Sequence, residues 1–386
     1  MRRVVVSRSK TPVDRAQATA LVHDAFGTTA RLLSIHELTD GWFNAAYRLD
    51  IVLGGDGAAA APARSVVLKV APPPDVEVLW YEHDILHAEI EALRLVRHCT
   101  DAPVPEVLWV DEATRLPSPS FLMSFVPGVS LANHRAEMPP AALAQLDRTM
   151  GRHLAQLHAV TGEGFGLLSP DRPSHDTWPA AFGELVEQLL RDGERAGVVL
   201  PVGYDELRHG LAATHAALAE VTVPRFVQWD LWDGNVLVDP VSGALTGYLD
   251  FERALWGDPL LEIQFGPHGR VADVVDGYGS DPFTDPGARQ RRALYTLYHH
   301  LVMSIEGAYR AYPSDPLGDR ARAGLANDLR AVHEAGSSPP ASPMTSPRPD
   351  TACRSCGAPQ ARMWSTPDGA ARLCPACATL HGVGCP

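Results

Sequence analysis

Leu143, Leu146, Met150, Leu154 and Leu157 stand three or four residues apart, a spacing that predicts an amphipathic helix over Ala141 to Val160. Leu86, Ile90, Leu93 and Val96 predict another over Val76 to His98, with Glu89 at the border of its apolar stripe. Thr11-Pro12 opens a helix that runs through Ala25, with the proline in its first turn and Gly27 beyond its end. Pro179 to Ala196, Tyr204 to Val221, Arg289 to Tyr312 and Gly318 to Ala335 also read as helices. From Leu33 to Val70 the texture is strand-like instead. One strand ends at Thr39, Ala45 to Val52 forms a second, and Val66 to Val70 a third. Val107 to Val110 and Phe121 to Val126 complete a small sheet. Farther on, Val236-Leu237-Val238 and Leu245 to Leu249 flank Asp239-Pro240-Val241-Ser242-Gly243, which reads as a hairpin turn.

The pattern describes an α+β chain: a small mixed-sheet lobe with one long helix, then a larger helical lobe. Residues 1–29 form an N-terminal helical segment, 30–126 the first lobe and 127–335 the second. Residues 336–351 are rich in proline and serine and read as a linker, and 352–386 as a separate module. A length of 386 residues accommodates such a division. The formal charge of -13 argues against a general affinity for nucleic acid. Met1-Arg2-Arg3 lacks the apolar core of a signal peptide, and no apolar run approaches a membrane span, so a cytoplasmic protein without membrane contact is expected. Lysine occurs only at Lys10 and Lys69. A lysine inside the apolar strand of a chain that otherwise uses arginine suggests a need for a compact ammonium.

The chemistry concentrates between Phe226 and Asp258. Asp230 and Asn235 stand five apart in a tight loop, and the hairpin after them returns Asp250 beside Asn235. That arrangement suits a base next to a magnesium site, because magnesium takes few protein carboxylates when nucleotide phosphates supply the rest. Lys69, Glu89, Asp230, Asn235 and Asp250, in that order, resemble the aminoglycoside phosphotransferase family of small-molecule kinases. Leu249-Asp250-Phe251-Glu252, Gly257-Asp258-Pro259 and Leu154 to His158 strengthen the resemblance, which covers about residues 30–330.

The resemblance implies a two-lobed protein-kinase-like fold and transfer of the γ-phosphoryl group of ATP to a small-molecule hydroxyl, an aminoglycoside-like antibiotic, sugar or related metabolite. It implies that Lys69 holds the α- and β-phosphates, that Glu89 fixes Lys69, and that Asp230 takes the acceptor's proton. Asn235 and Asp250 would ligate magnesium, Gly41 to Asn44 would cover the phosphates, and Ser124 to Val126 would meet the adenine. Where the family has His-Gly-Asp, this chain has Gln228-Trp229-Asp230. Glutamine can replace histidine as a partner for neighbouring backbone, whereas Trp229 must find room. The alternative is a catalytically weak pseudokinase that senses nucleotide. Trp178, Trp232 and Trp256 are candidates for an aromatic acceptor wall, with core packing as the competing reading.

Cys353-x-x-Cys356, seventeen residues, then Cys374-x-x-Cys377 has the spacing of a four-thiolate zinc site. A module this small needs a metal to fold. Trp364, Asp368-Gly369 and Leu373-Cys374-Pro375-Ala376-Cys377 resemble a GATA-type zinc finger. That family binds DNA through a basic tail, but Ala378 to Pro386 contains no lysine or arginine. Contact with DNA or a protein partner is thus left open, and Cys385 has no role in the spacing.

Overall fold

The computed structural model describes residues 10–39, 43–54, 62–169, 172, 174–266, 271–310, 315–337, 362–366 and 369–373. Gly41 and the four expected zinc ligands, Cys353, Cys356, Cys374 and Cys377, lie outside them, as does Cys385.

Helix α1 (Arg15–Phe26) starts at Asp14. The Asp14 carboxylate accepts the Gln17 N–H at 2.8 Å and the Gln17 side chain accepts the Asp14 N–H at 2.9 Å, so two orphan donors are satisfied. Strands β1 (Arg31–Glu37), β2 (Ala45–Val52) and β3 (Arg64–Val70) follow, then helix α2 (Ile85–Cys99) and strands β4 (Val107–Asp111) and β5 (Ser120–Ser124). They form one sheet in the order β1-β2-β3-β5-β4. The pairing of the expected mixed sheet is antiparallel at every neighbour. Strand alternation sorts the two faces. Val66, Leu68 and Val70 meet Ala18, Leu21 and Val22 of α1, while Val67 joins Phe121, Met123 and the α2 residues Leu86, Ile90, Leu93 and Val96. Lys69 shares the face of Val67 and is therefore aimed beneath α2.

Helix α2 begins at Ile85, not at the expected Val76. Pro72, Pro73 and Pro74 cannot donate to a helical ladder, and Asp84 sits at φ 66°, in the left-handed region. Between them the chain forms a 3₁₀ turn, Trp80–Glu82, held by the Leu79 N–H donating to the Glu82 carboxylate at 3.0 Å.

The second lobe contains β6 (Val129–Ser130), α3 (Leu131–His134), α4 (Pro140–Ala159), β7 (Gly166–Leu167), α5 (Trp178–Arg195), α6 (Tyr204–Ala212), α7 (His215–Leu218) and β8 (Arg225–Val227). The hairpin β9 (Val236–Val238) and β10 (Leu245–Tyr248), strand β11 (Leu255–Gly257), and helices α8 (Val271–Tyr278), α9 (Ala288–Arg310) and α10 (Pro316–Ser337) complete it. The helix expected over Tyr204 to Val221 is two helices. The buried Thr214 hydroxyl donates to the Leu211 carbonyl at 2.6 Å and breaks the ladder there. No helix of the described residues is long and apolar enough to cross a membrane. Farther along the chain, β12 (Arg362–Thr366) and β13 (Gly369–Leu373) pair antiparallel.

Candidate active site

The hairpin β9–β10 sets the site's spacing. The Leu249 N–H donates to the Asn235 carbonyl at 2.9 Å, which brings the residue after it, Asp250, beside the start of β9. Lys69 arrives from the facing sheet. It is 4% exposed, and its ammonium lies 2.5 Å from Glu89 of α2, 2.7 Å from Asp250 and 3.0 Å from Glu252. Burial works against the Lys69 charge, but Asp250, Glu252 and Glu89 more than reverse it and hold its pKa well above the lysine range. Burial pushes Glu89 upward in turn, with Lys69 opposing.

One carboxylate oxygen from each of Glu89, Asp250 and Glu252 lies within 4.8 Å of the others. An all-oxygen donor set fits magnesium. Asn235 is buried, and its amide N–H donates to the Asp230 carbonyl at 2.9 Å, leaving its side-chain oxygen as the group it can offer an ion. Asn44 is drawn in as well, donating to Glu252 at 2.6 Å. Its neighbour Phe43 lies under the Arg310 guanidinium, 4.2 Å from ring centroid to charge. Thus Lys69, Glu89, Asn44, Asp230, Asn235 and Asp250 converge at the junction of the lobes. Ser124 closes β5 at the edge of the same junction.

Asp230 lies between two backbone outliers, Trp229 at φ 68° and Asp250 at φ 56°. Side chains rarely adopt that conformation, and its cost is sustained only where surroundings over-determine it. Glu262 supplies much of that constraint. It is fully buried, and its two carboxylate oxygens accept the N–H groups of Gln228, at 2.8 Å, and Trp229, at 3.1 Å. The Gln228 side chain donates to the Asp250 carbonyl at 2.8 Å and ties the two outliers together. Glutamine therefore does here what a supporting histidine would do. Gln264 donates to the Leu231 carbonyl at 2.6 Å and fixes the far side of the loop. Burial raises the Asp230 pKa to about 7, against the attraction of Arg253 and reinforced by Asp250, Glu252 and Glu306.

Trp229 finds its room inside the second lobe. It is 1% exposed, stacks on Tyr298 of α9 at 5.5 Å and 21°, and meets Tyr81 edge-on at 5.6 Å. Of the other tryptophans, Trp178 is core, with its indole N–H donating to Tyr295 at 2.7 Å. Trp232 is exposed, and Trp256 packs edge-on to Phe226.

Glu262, Gln264, Arg253 and Glu306 were not singled out by the sequence, and Glu252 entered only as part of the Leu249 to Glu252 segment, with no role of its own. Glu252 and Arg253 adjoin Asp250 and could have been found by adjacency. Glu262 and Glu306 carry no local signal, because their partners are 33 or more residues away.

Comparison with known proteins addresses the family and the fold. A probable ketoamine kinase of Synechocystis is 30% identical over 178 residues, covering 39% of this chain and 54% of that protein. The chain thus spans about half the length of that curated relative. Among solved structures, a "putative fructosamine-3-kinase" of Thermobifida fusca superposes with a TM-score of 0.58 at 22% identity, over 82% of this chain and 98% of that one. The GDP complex of wild-type aminoglycoside 2'-phosphotransferase-IIIa gives 0.54 at 18% identity, over 84% and 99%. These structures share the two-lobed kinase-like fold. Residues 34–302, well over half the chain, match the phosphotransferase enzyme family, and to that family the chain belongs.

Proposed function

We propose that the protein is an ATP-dependent kinase that phosphorylates a hydroxyl of a small, polyhydroxylated acceptor. The observation that carries the reading is the Lys69 ammonium, held by Glu89 and set against Asp250 and Glu252 across the lobe junction. Phosphoryl transfer asks a protein mainly for positioning and charge compensation, and this is a charge-compensating cluster near a half-buried carboxylate, Asp230. Lys69 meets the nucleotide phosphates, Asp230 orients the acceptor hydroxyl and takes its proton, and Asn235, Asp250 and Glu252 hold magnesium. Magnesium held by those residues would supply the positive charge that compensates the nucleotide phosphates. Gly41 to Asn44 cover the phosphates, with Asn44 released from Glu252 when nucleotide enters. Similarity to a ketoamine kinase favours a sugar-amine acceptor, with aminoglycosides as the competing class.

Calorimetry checks the first half: wild type binds ATP with magnesium, and Lys69→Met weakens that binding by about tenfold or more, since a charged contact is lost. No binding at saturating nucleotide removes the kinase reading. An ATP-consumption screen over ketoamines, sugars and aminoglycosides then identifies the acceptor.

The cysteine module is proposed to carry one structural zinc. Support comes from the spacing of Cys353, Cys356, Cys374 and Cys377, and from a hairpin whose second strand ends at Leu373, directly before Cys374. Metal analysis of protein purified reduced and without chelator should give about one zinc per chain, lost on truncation after Ser337. A metal-free full-length chain overturns the assignment. Docking to DNA or a protein partner remains the open role for such a module.

A further inference from the structure

Near Asp230, several buried polar atoms of the described residues have no hydrogen-bond partner. The Trp229 indole N–H, the Tyr81 and Tyr298 hydroxyls and the Arg253 Nε–H all lack a hydrogen bond. They belong to one cluster. The Arg253 guanidinium lies 5.4 Å from the Tyr81 ring and 5.6 Å from the Trp229 ring, and Trp229 stacks on Tyr298. Buried donors are almost always satisfied in a working protein, so a group of them together calls for a polar occupant. All four groups can donate toward an incoming oxygen.

Arg253 is the member best placed to meet a ligand. Its side chain is 14% exposed, whereas Trp229 and Tyr298 are each 1% exposed. One of its terminal nitrogens is tethered to Glu306 of α9 at 3.3 Å, which fixes the guanidinium while leaving Nε free. Asp250 and Glu252 face Asp230 from one side and Glu306 from α9, with Arg253 the cation that opposes them. Glu82 is paired with Arg310 and Glu306 with Arg253, so among the described residues Asp230 is the acid here without a cation in contact. The strain at Trp229 has a purpose in this arrangement. A small residue would relieve it, but the indole builds the wall on which Arg253 rests.

We propose that Arg253 binds the acceptor and selects its class, its guanidinium taking an oxygen of a neutral, zwitterionic or anionic hydroxylated molecule while its charge turns away polycations. This rests on the kinase reading. A guanidinium fixed near Asp230 repels the several ammonium groups of an aminoglycoside and favours a hydroxyl or carboxylate oxygen.

The test compares wild type, Arg253→Gln and Glu306→Gln on three acceptors: a neutral sugar, a fructosyl amino acid and an aminoglycoside. In Arg253→Gln, kcat/KM for the first two should fall about tenfold or more, mainly through KM, while the aminoglycoside gains relative to them. Glu306→Gln keeps the cation and removes its counter-charge, so the ranking should move toward the carboxylate-bearing acceptor; it also serves if Arg253→Gln does not fold. An equal loss on all three acceptors, the mark of a purely structural residue, overturns the proposal. So does a wild-type preference for the aminoglycoside, or no turnover of any acceptor. Failure of ATP and magnesium to bind wild type would instead remove the kinase reading itself.

Discussion

Asp230→Ala retains binding of ATP with magnesium and loses turnover by about 10²–10⁴-fold, the contribution of a positioned base. Binding survives because, in the proposed site, Lys69, Glu89 and Asp250 form the nucleotide side, and their ion pairs do not involve the Asp230 carboxylate. Turnover that persists in the variant would sink the assignment of Asp230. The pH dependence gives the same residue a second signature. A base must be ionised, and burial has raised the Asp230 pKa to about 7, so kcat/KM should fall as the pH drops through neutrality. Stability moves the other way. A carboxyl whose folded pKa lies above its unfolded value favours the fold at low pH, and the cost of ionising it appears between the unfolded value of 3.8 and about 7. Asp230→Asn should therefore raise the melting temperature at pH 8, and the gain should shrink toward pH 4. A melting temperature lowered equally at both would show that the carboxylate is structural.

The site was largely legible in the sequence where one residue of each pair sits on a strongly patterned element. Lys69 stands out as a charge in an apolar strand, and the alternation of β3 fixes which face it takes. Glu89 is placed by the 3.6-residue period of α2. Asp230, Asn235 and Asp250 are tied by a short hairpin whose turn residues are unmistakable. Legibility fails for groups whose meaning comes from distant partners. Glu262 reads as one acid within the apolar run Leu260 to Phe265 and becomes a clamp only when the 3₁₀ turns after Asp258 bring it to Gln228 and Trp229. Arg253 looks like a surface charge after a strand until Tyr81, Trp229 and Glu306 surround it. The early start assigned to α2 has a similar cause: the apolar residues Val76, Val78 and Leu79 fit a helical stripe, yet they pack from a loop. Strands of two or three residues, such as β6, β7 and β11, are too short for any period to show.

Glu262→Ala should damage the protein in the complementary way, through its scaffold. The carboxylate is fully buried and accepts the backbone N–H groups of Gln228 and Trp229, in the loop that carries Asp230, with the ring of His158 3.5 Å away. Truncation leaves both donors unpaired in a place water does not reach, at about 1–3 kcal/mol each. A loss of about 2–5 kcal/mol in unfolding free energy follows, measurable by denaturant titration. The effect reaches the chemistry because Trp229 is held at φ 68° against its preference. With its N–H released, that residue can relax toward ordinary backbone, carrying Asp230 away from the acceptor and the indole away from Arg253. Turnover should then fall together with stability, whereas Asp230→Asn separates the two. Glu262→Gln keeps one acceptor oxygen and should recover part of the stability. If Glu262→Ala unfolds at the wild-type denaturant midpoint, the clamp does not restrain the loop, and the strain at Trp229 must be sustained by the Tyr298 stack and the Gln228 bond to Asp250 alone.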